Sequence, residues 1–464
     1  MGGSMDASTD ALSQEDQGRF DVFYEFFNVD LAKGLDFDAA KARVLLTAGP
    51  RLGGLVADRI FRELGEGKSW PWPGPIVKPP YHRWYAGPGP SSVEWNGYFG
   101  RLAESGAVGN RALDDLNKST TGTLTLMPAP FRPDYAGRGL VMGYVQSGKT
   151  MNFMGLIAKA VDSGYNVVIV LSGVTNNLRD QTQARIARDL TTADTVRWYW
   201  LTGPKQDFIA QENAATLLAG RAHMIGVVKK NSVRLRRLKT WLAAAKIGVR
   251  SGARVLIIDD ECDQASLNTA KSLTRKTAVN KALTDLIDST FLPRVSYVGY
   301  SATPFANMLG EALPGSLYPE DFIVSLPRND GYFGPAELFG REPQNDEDEG
   351  VDGADIVRDI PNTEVDRVRP PKSHQGAWSP PVEGALRDSI LWFIVAHSLR
   401  MLRGKRSPVW STMMIHTSQN VGPHGATQRA VKEFIDQISR TSTLDLEAEV
   451  RNLYEREIGA AAHL

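Results

Sequence analysis

Val141-Met142-Gly143-Tyr144-Val145-Gln146-Ser147-Gly148-Lys149-Thr150 decides how this chain folds. From Gly143 onward the string matches G-x-x-x-x-G-K-[ST] in full, with Gly139–Met142 before it as a short apolar run suited to a buried strand. After it, residues 151–161 carry apolar side chains at helical spacing and stop near Gly164. Glycines at both ends let the backbone wrap an anion and aim N–H groups at it, the geometry of a phosphate-binding loop. Gly143, Gln146, Ser147, Gly148, Lys149 and Thr150 are the candidate nucleotide-binding residues. Lys149 reaches the β and γ oxygens of ATP, and Thr150 helps hold Mg²⁺. Gln146 either senses the nucleotide or fills a loop position.

Two later strings extend the reading. Val255-Leu256-Ile257-Ile258-Asp259-Asp260-Glu261-Cys262-Asp263 is an apolar strand that delivers acids to its end. Asp260 is the expected Mg²⁺ ligand, Asp259 the competing one, and Glu261 is placed to polarise an attacking water, which makes Glu261 and Lys149 the candidate catalytic pair. Ser301-Ala302-Thr303-Pro304 follows the apolar run Val295–Tyr300. The hydroxyls of Ser301 and Thr303, together with Asp263, are expected to couple the acids to a further domain. The order of the three strings is that of a nucleic-acid-dependent ATPase.

The chain has 464 residues, enough for roughly two to four domains. Its 53 basic and 53 acidic side chains balance, so no global field advertises a polyanionic partner and any such contact is local. A single cysteine, Cys262, excludes an internal disulfide framework and fits a reducing cytoplasm; within the acidic string it reads as a small buried residue, not a nucleophile. No apolar run of about 18 residues spans a membrane, and no secretion signal opens the chain. Residues 1–5 read as a cloning scar before a native Met5.

Along the chain, residues 6–116 form an accessory helical region, with Phe20, Phe23, Tyr24, Phe26 and Phe27 as packing aromatics. Within it, the Trp-, Pro- and Gly-rich stretch from Trp70 to Pro90 is an ordered connector pinned by its aromatics. Residues 117–330 form an α/β, RecA-like domain, with strands expected near 140–142, 167–171, 196–201, 224–228, 255–258 and 295–300 in a parallel sheet with helices on both faces. Residues 331–384 are a linker with an acidic segment. Residues 385–464 begin a second α/β domain, with a helix near 386–402 and a strand at Ser411–His416.

Polar groups after the second expected strand, Asn176, Asn177, Arg179 and Gln181, sit where a backbone phosphate can be contacted without reading bases. Lys229, Lys230, Arg236 and Arg237 belong to the densest basic run, a helix with one basic face. Each set has a solvated-surface alternative of equal weight.

Taken with Trp84-Tyr85-Ala86-Gly87-Pro88, Asn177-Leu178-Arg179-Asp180-Gln181-Thr182-Gln183, Val228-Lys229-Lys230-Asn231 and Ser411–Ser418, these motifs resemble the Z-one domain family. That is a helicase-like P-loop ATPase family of prokaryotic restriction and defence operons that carries an endonuclease label. The resemblance implies DNA as partner, with a MutL- or MORC-like ATPase, a methylase or a nuclease from the same operon beside it. It also implies a distal arginine-bearing segment that this sequence does not contain. Two other readings stand beside a DNA translocase or remodelling ATPase. One is a Mg²⁺-dependent endonuclease, whose only candidate acids are Asp58 with Glu66-Gly67-Lys68; the other is a non-catalytic, ATP-gated interaction module.

Overall fold

The computed structural model describes residues 14–66 except 34 and 36, then 76–77, 84–144, 147–191, 197–208, 213–220, 222–266, 277–304, 307, 316–328, 332–341, 343, 350, 352–354, 356–370, 378–403, 410–418, 421–440 and 444–461. They fall into two compact units, Met1–Tyr332 and Phe333–Leu464.

The first unit opens with α1 (Gln14–Ala32) and α2 (Phe37–Glu66). α2 breaks at Gly49, whose φ of 80° is left-handed, next to Pro50, which offers no N–H to the helix ladder. Then follow β1 (Ile76–Val77), α3 (Val93–Glu104), α4 (Asn110–Leu126), β2 (Tyr135–Met142), α5 (Lys149–Asp162), β3 (Val167–Ser172), α6 (Asn176–Asp189) and β4 (Trp198–Trp200). The rest is α7 (Ala214–Ala219), β5 (His223–Val228), α8 (Ser232–Ala243), α9 (Ile247–Arg250), β6 (Val255–Asp260), α10 (Ala278–Leu286), β7 (Arg294–Ser301) and β8 (Phe322–Ser325).

The strands form one sheet in the order β1-β8-β2-β7-β6-β3-β5-β4, parallel throughout except for the short antiparallel β1. This is a RecA-like α/β core. β7 separates the loop-bearing strand β2 from the acid-bearing strand β6, so both strings end at the same carboxyl edge but are not neighbours.

Side-chain parity sorts the core into two layers. On β6, Leu256 and Ile258 join the layer containing Phe153, Leu156 and Ile157 of α5, while Val255 and Ile257 join the layer containing Leu235 and Leu238 of α8. Continuing the alternation, Asp260 follows the α5 face and Asp259 the α8 face. Each large apolar side chain fully buried here contributes roughly 1.5–3 kcal/mol.

α5 is covered on its outer side as well. Gly155 lets α3 and α4 approach, since a Cβ there would lie 3.1 Å from the Trp95 ring and 3.3 Å from Thr120. Lys159 is fully buried on the same helix, donating to Asn117 O, Asn117 Oδ1 and Thr121 Oγ1 at 2.6–2.8 Å with its ammonium 3.8 Å from the Trp95 ring centre; burial drives its pKa well down. The Trp84-Tyr85 part of the connector is pinned as expected: Trp84 Nε1 donates to Met127 O and Tyr85 O accepts from Thr125 Oγ1. The remainder of that stretch, residues 70–83, lies outside the described residues apart from Ile76 and Val77.

The second unit contains α11 (Pro335–Phe339), α12 (Asn362–Val368), α13 (Gly384–Arg403), α14 (Val421–Arg440) and α15 (Leu444–Ala461). A small core of Ile390, Leu391, Phe434 and Leu453 joins the last three, braced by a two-pronged Arg387–Glu449 pair at 2.5 and 2.6 Å. Ser411–His416 is not a strand: among the described residues it has no ladder partner, and hydrogen bonds there join His397 Nδ1 with Ser411 Oγ and run from Arg400 Nη2 to Trp410 O. An apolar run reads as a strand only by its pattern, whereas a strand exists only with a neighbour to bond to.

Candidate active site at the carboxyl edge of the sheet

The loop after β2 is held at both ends. Gly143 N donates to Ser301 O at 3.1 Å, and Gly148, left-handed at φ 89°, hands the chain into α5. A Cβ on Gly143 would sit 3.0 Å from both Lys149 Cγ and Ser147 Oγ, so a larger residue there would have to push those side chains aside. Gln146 lies outside the described residues. Lys149 and Thr150 open α5, where unpaired backbone N–H groups and the helix dipole favour an anion. Lys149 Nζ donates to Tyr144 O at 2.9 Å and Gly143 O at 3.4 Å. Burial lowers its pKa, while Asp260, Glu261 and Asp263 oppose the shift, which places all three acids within electrostatic reach of the ammonium.

The acids separate by role. Asp260 ends β6 on the α5 face, and burial, reinforced by Glu261, raises its pKa to about 6. A carboxyl group destabilised in this way is one that a cation would restore to its charged form, which makes Asp260 the acid of this string open to a metal ion. Asp259, by contrast, is fully buried on the opposite face, paired with Lys230 at 2.8 Å and accepting from Tyr297 Oη at 2.5 Å, which removes it as the alternative metal ligand. Glu261 turns the chain at φ 58°, and Cys262 N donates to Tyr300 O. Asp263 then accepts from Ser301 Oγ at 2.7 Å and Thr303 Oγ1 at 2.9 Å, while Thr303 N donates to Ser301 Oγ. The structure thus brings together Lys149, Asp260, Glu261, Asp263, Ser301 and Thr303 from three segments far apart in sequence. Behind them, Tyr300 Oη donates to Asn152 Oδ1 and Asn152 Nδ2 to Ser119 Oγ, a buried chain that fixes β7 against α5 and α4 and that no sequence pattern signals.

At the β3–β5 side of the same edge, Asn176, Asn177 and Gln181 are exposed at the start of α6, and Arg236 and Arg237 are exposed on α8. Lys229 Nζ donates to Asn176 Oδ1 at 2.6 Å, joining the two groups. Arg179 and Lys230 depart from the expectation. Arg179 is 1% exposed and donates to Gly203 O, Gln206 O and Val227 O besides pairing with Asp180, so it clamps β5 and the segment after β4. Lys230 is 3% exposed and points under β6. Neither offers a surface to a polymer. The endonuclease candidates fare no better: Asp58 and Glu66 fall on the helix α2, where a paired-strand arrangement cannot form, and Lys68 lies outside the described residues.

A model of the Z1 domain family matches residues 385–461, which lie within the second unit. The segment matched begins after all of the sheet motifs described above. Among 21 chains of solved structure that match, the Pyrococcus furiosus Hef helicase domain is similar over 45% of this chain and 38% of its own length, at 16% identity and a TM-score of 0.28. This chain therefore spans well under half of that one. No curated protein matches.

Proposed function

We propose that the chain is an ATPase that binds ATP with Mg²⁺ at the carboxyl edge and couples hydrolysis to movement on, or remodelling of, DNA. The observation that carries this is the convergence of Lys149, at a helix N-terminus behind a glycine-framed loop, on Asp260, Glu261 and Asp263. Backbone N–H groups of the loop and Lys149 bind the phosphates, Glu261 takes the proton of the attacking water, and the Asp263–Ser301–Thr303 bridge carries a change at the acids into the segment after β7. Mg²⁺ held by Thr150 and Asp260 supplies charge neutralisation at the phosphates when bound. DNA would lie along the exposed Asn176, Asn177, Gln181, Arg236 and Arg237 and the half-buried Lys229, contacting phosphates without reading bases.

A place in a restriction or anti-phage system, with a MutL- or MORC-like ATPase, methylase or nuclease as companion, rests on the Z1 resemblance. Among the described residues no helix is long and apolar enough to cross a membrane, in keeping with a cytoplasmic enzyme. The test is Lys149→Ala: ATP affinity should fall on the order of tenfold or more with loss of a charge-assisted phosphate contact. Binding and turnover equal to the wild type would end the nucleotide-site reading. ATP-independent nicking of plasmid with Mg²⁺ would favour the endonuclease, and ATP binding without turnover the gated module.

A further inference from the structure

Lys230 is a basic residue with no solvent to face. It follows β5 directly, and its backbone is fixed on both sides: Lys230 N donates to Gly173 O at 3.0 Å in the β3–α6 turn, and Asn231 caps α8 by accepting from Val233 N and Arg234 N. The side chain then runs beneath the end of β6. Its ammonium pairs with Asp259 at 2.8 Å and donates to Glu261 O at 2.5 Å and Gln264 O at 3.2 Å. Its hydrogen bonds go to the two main-chain carbonyls, while Asp259 Oδ1 meets the ammonium as an ion pair and not in hydrogen-bond geometry. Those carbonyls belong to the turn in which Glu261 adopts a left-handed backbone that side-chain-bearing residues seldom take up. Charge compensation alone would need only Asp259, which Tyr297 already orients from β7.

We propose that Lys230 is a positioning residue for hydrolysis: by holding the Glu261 and Gln264 carbonyls it sets the turn that aims the Glu261 carboxylate, and it ties that turn to the β3–α6 loop. This rests on the reading of Glu261 as the group that activates water. Lys229 donates to Asn176 on the outer surface, so the two adjacent lysines connect the polymer-facing edge with the hydrolytic turn.

The test is the double variant Lys230→Met/Asp259→Asn, which removes both buried charges together and keeps side-chain volume. ATP turnover is measured beside the wild type, Lys149→Ala and Glu261→Gln, with the thermal midpoint of each. The expected result is a KM for ATP within about threefold of the wild type and a kcat lower on the order of 10- to 100-fold, because a small misplacement of a reacting group is felt in the chemical step. A wild-type kcat in the double variant, with Glu261→Gln inactive, would overturn the proposal. Should the double variant fail to fold, Asp259→Asn alone decides: it retains both carbonyl contacts and should hold kcat within about threefold, whereas a loss of tenfold or more would place the effect in the ion pair and overturn positioning. Wild-type turnover that survives Lys149→Ala would instead overturn the nucleotide-site reading, and this inference would fall with it.

Discussion

The two halves of the carboxyl edge share one sequence pattern, polar residues following an apolar strand, and differ in where those residues turn. Around β2, β6 and β7, Lys149, Asp260, Glu261, Asp263, Ser301 and Thr303 converge on one another, while Asp259 is turned away. Around β3 and β5, Arg179 and Lys230 turn inward while Asn176, Asn177, Arg236 and Arg237 stay out. The difference lies in the backbone. A glycine-framed loop feeding a helix N-terminus leaves its side chains few directions, but a polar residue after a strand can bond a solvent-side partner or a neighbouring strand's orphan carbonyls equally well.

The sharpest way to break this comparison is at the acids. Glu261→Gln keeps size and hydrogen bonding and should cut hydrolysis on the order of 10²- to 10⁴-fold while ATP binding survives, whereas Asp260→Asn should weaken Mg²⁺-dependent binding itself. Single-turnover hydrolysis with equilibrium binding, each with and without Mg²⁺, separates the two; a Glu261→Gln enzyme at full rate would show that the convergence has no catalytic meaning.

On the other half, Arg179→Met should behave as a core lesion. Stripping the donors from Gly203, Gln206 and Val227 carbonyls should cost about 2–4 kcal/mol in denaturant unfolding, with DNA affinity per folded molecule unchanged. A stable variant with weakened DNA binding would return Arg179 to the polymer face. The triple change Lys229→Ala, Arg236→Ala, Arg237→Ala should do the reverse: unfolding within about 1 kcal/mol of the wild type, DNA affinity down about tenfold, and a salt slope flattened by up to about 3. An unchanged slope makes these three plain solvated charges.

A pH-dependent effect lies at the far end of α5, away from the edge. Asp162 accepts from Glu94 N at 3.0 Å and Trp95 N at 2.8 Å, capping α3, and burial raises its pKa from the ordinary 3.8 to about 7. Between those values the native chain keeps a proton that the unfolded chain has released. The stability from this site is therefore complete below about pH 4 and lost as pH rises through about 7. Measured against Asp162→Asn, which cannot titrate, the wild type should lose on the order of 2–3 kcal/mol of relative unfolding free energy from pH 5 to 8. A pH-independent difference would mean that Asp162 is charged throughout.

Much of the sheet was legible because its strands are uniformly apolar and bounded by turns: β3, β5, β6 and β7 fall within a residue or two of the expected spans. What was not legible has physical causes. β8 is four residues long, too short for period to register, and β2 begins at Tyr135 in a Gly- and Arg-containing stretch whose strand character comes from its neighbours; Gly139 is needed there because a Cβ would run into the Phe322 ring of β8. The choice between Asp259 and Asp260 was hidden for another reason. Val255–Ile258 is apolar at every position, so it carries no alternation from which to tell which acid faces α5, and only the helices packed on either side supply it.

Cys262 sits one residue beyond Glu261 with its sulfur packed against Gly299, where a Cβ would lie 2.8 Å from Sγ; burial, then Asp259, pushes the thiol pKa well up. A thiol so placed should resist maleimides and disulfide reagents until the turn at Glu261 lets go of β7. The protein thus carries a built-in clock. The rate at which its lone sulfhydryl becomes reactive would count openings of the turn at Glu261 without a probe having to be attached.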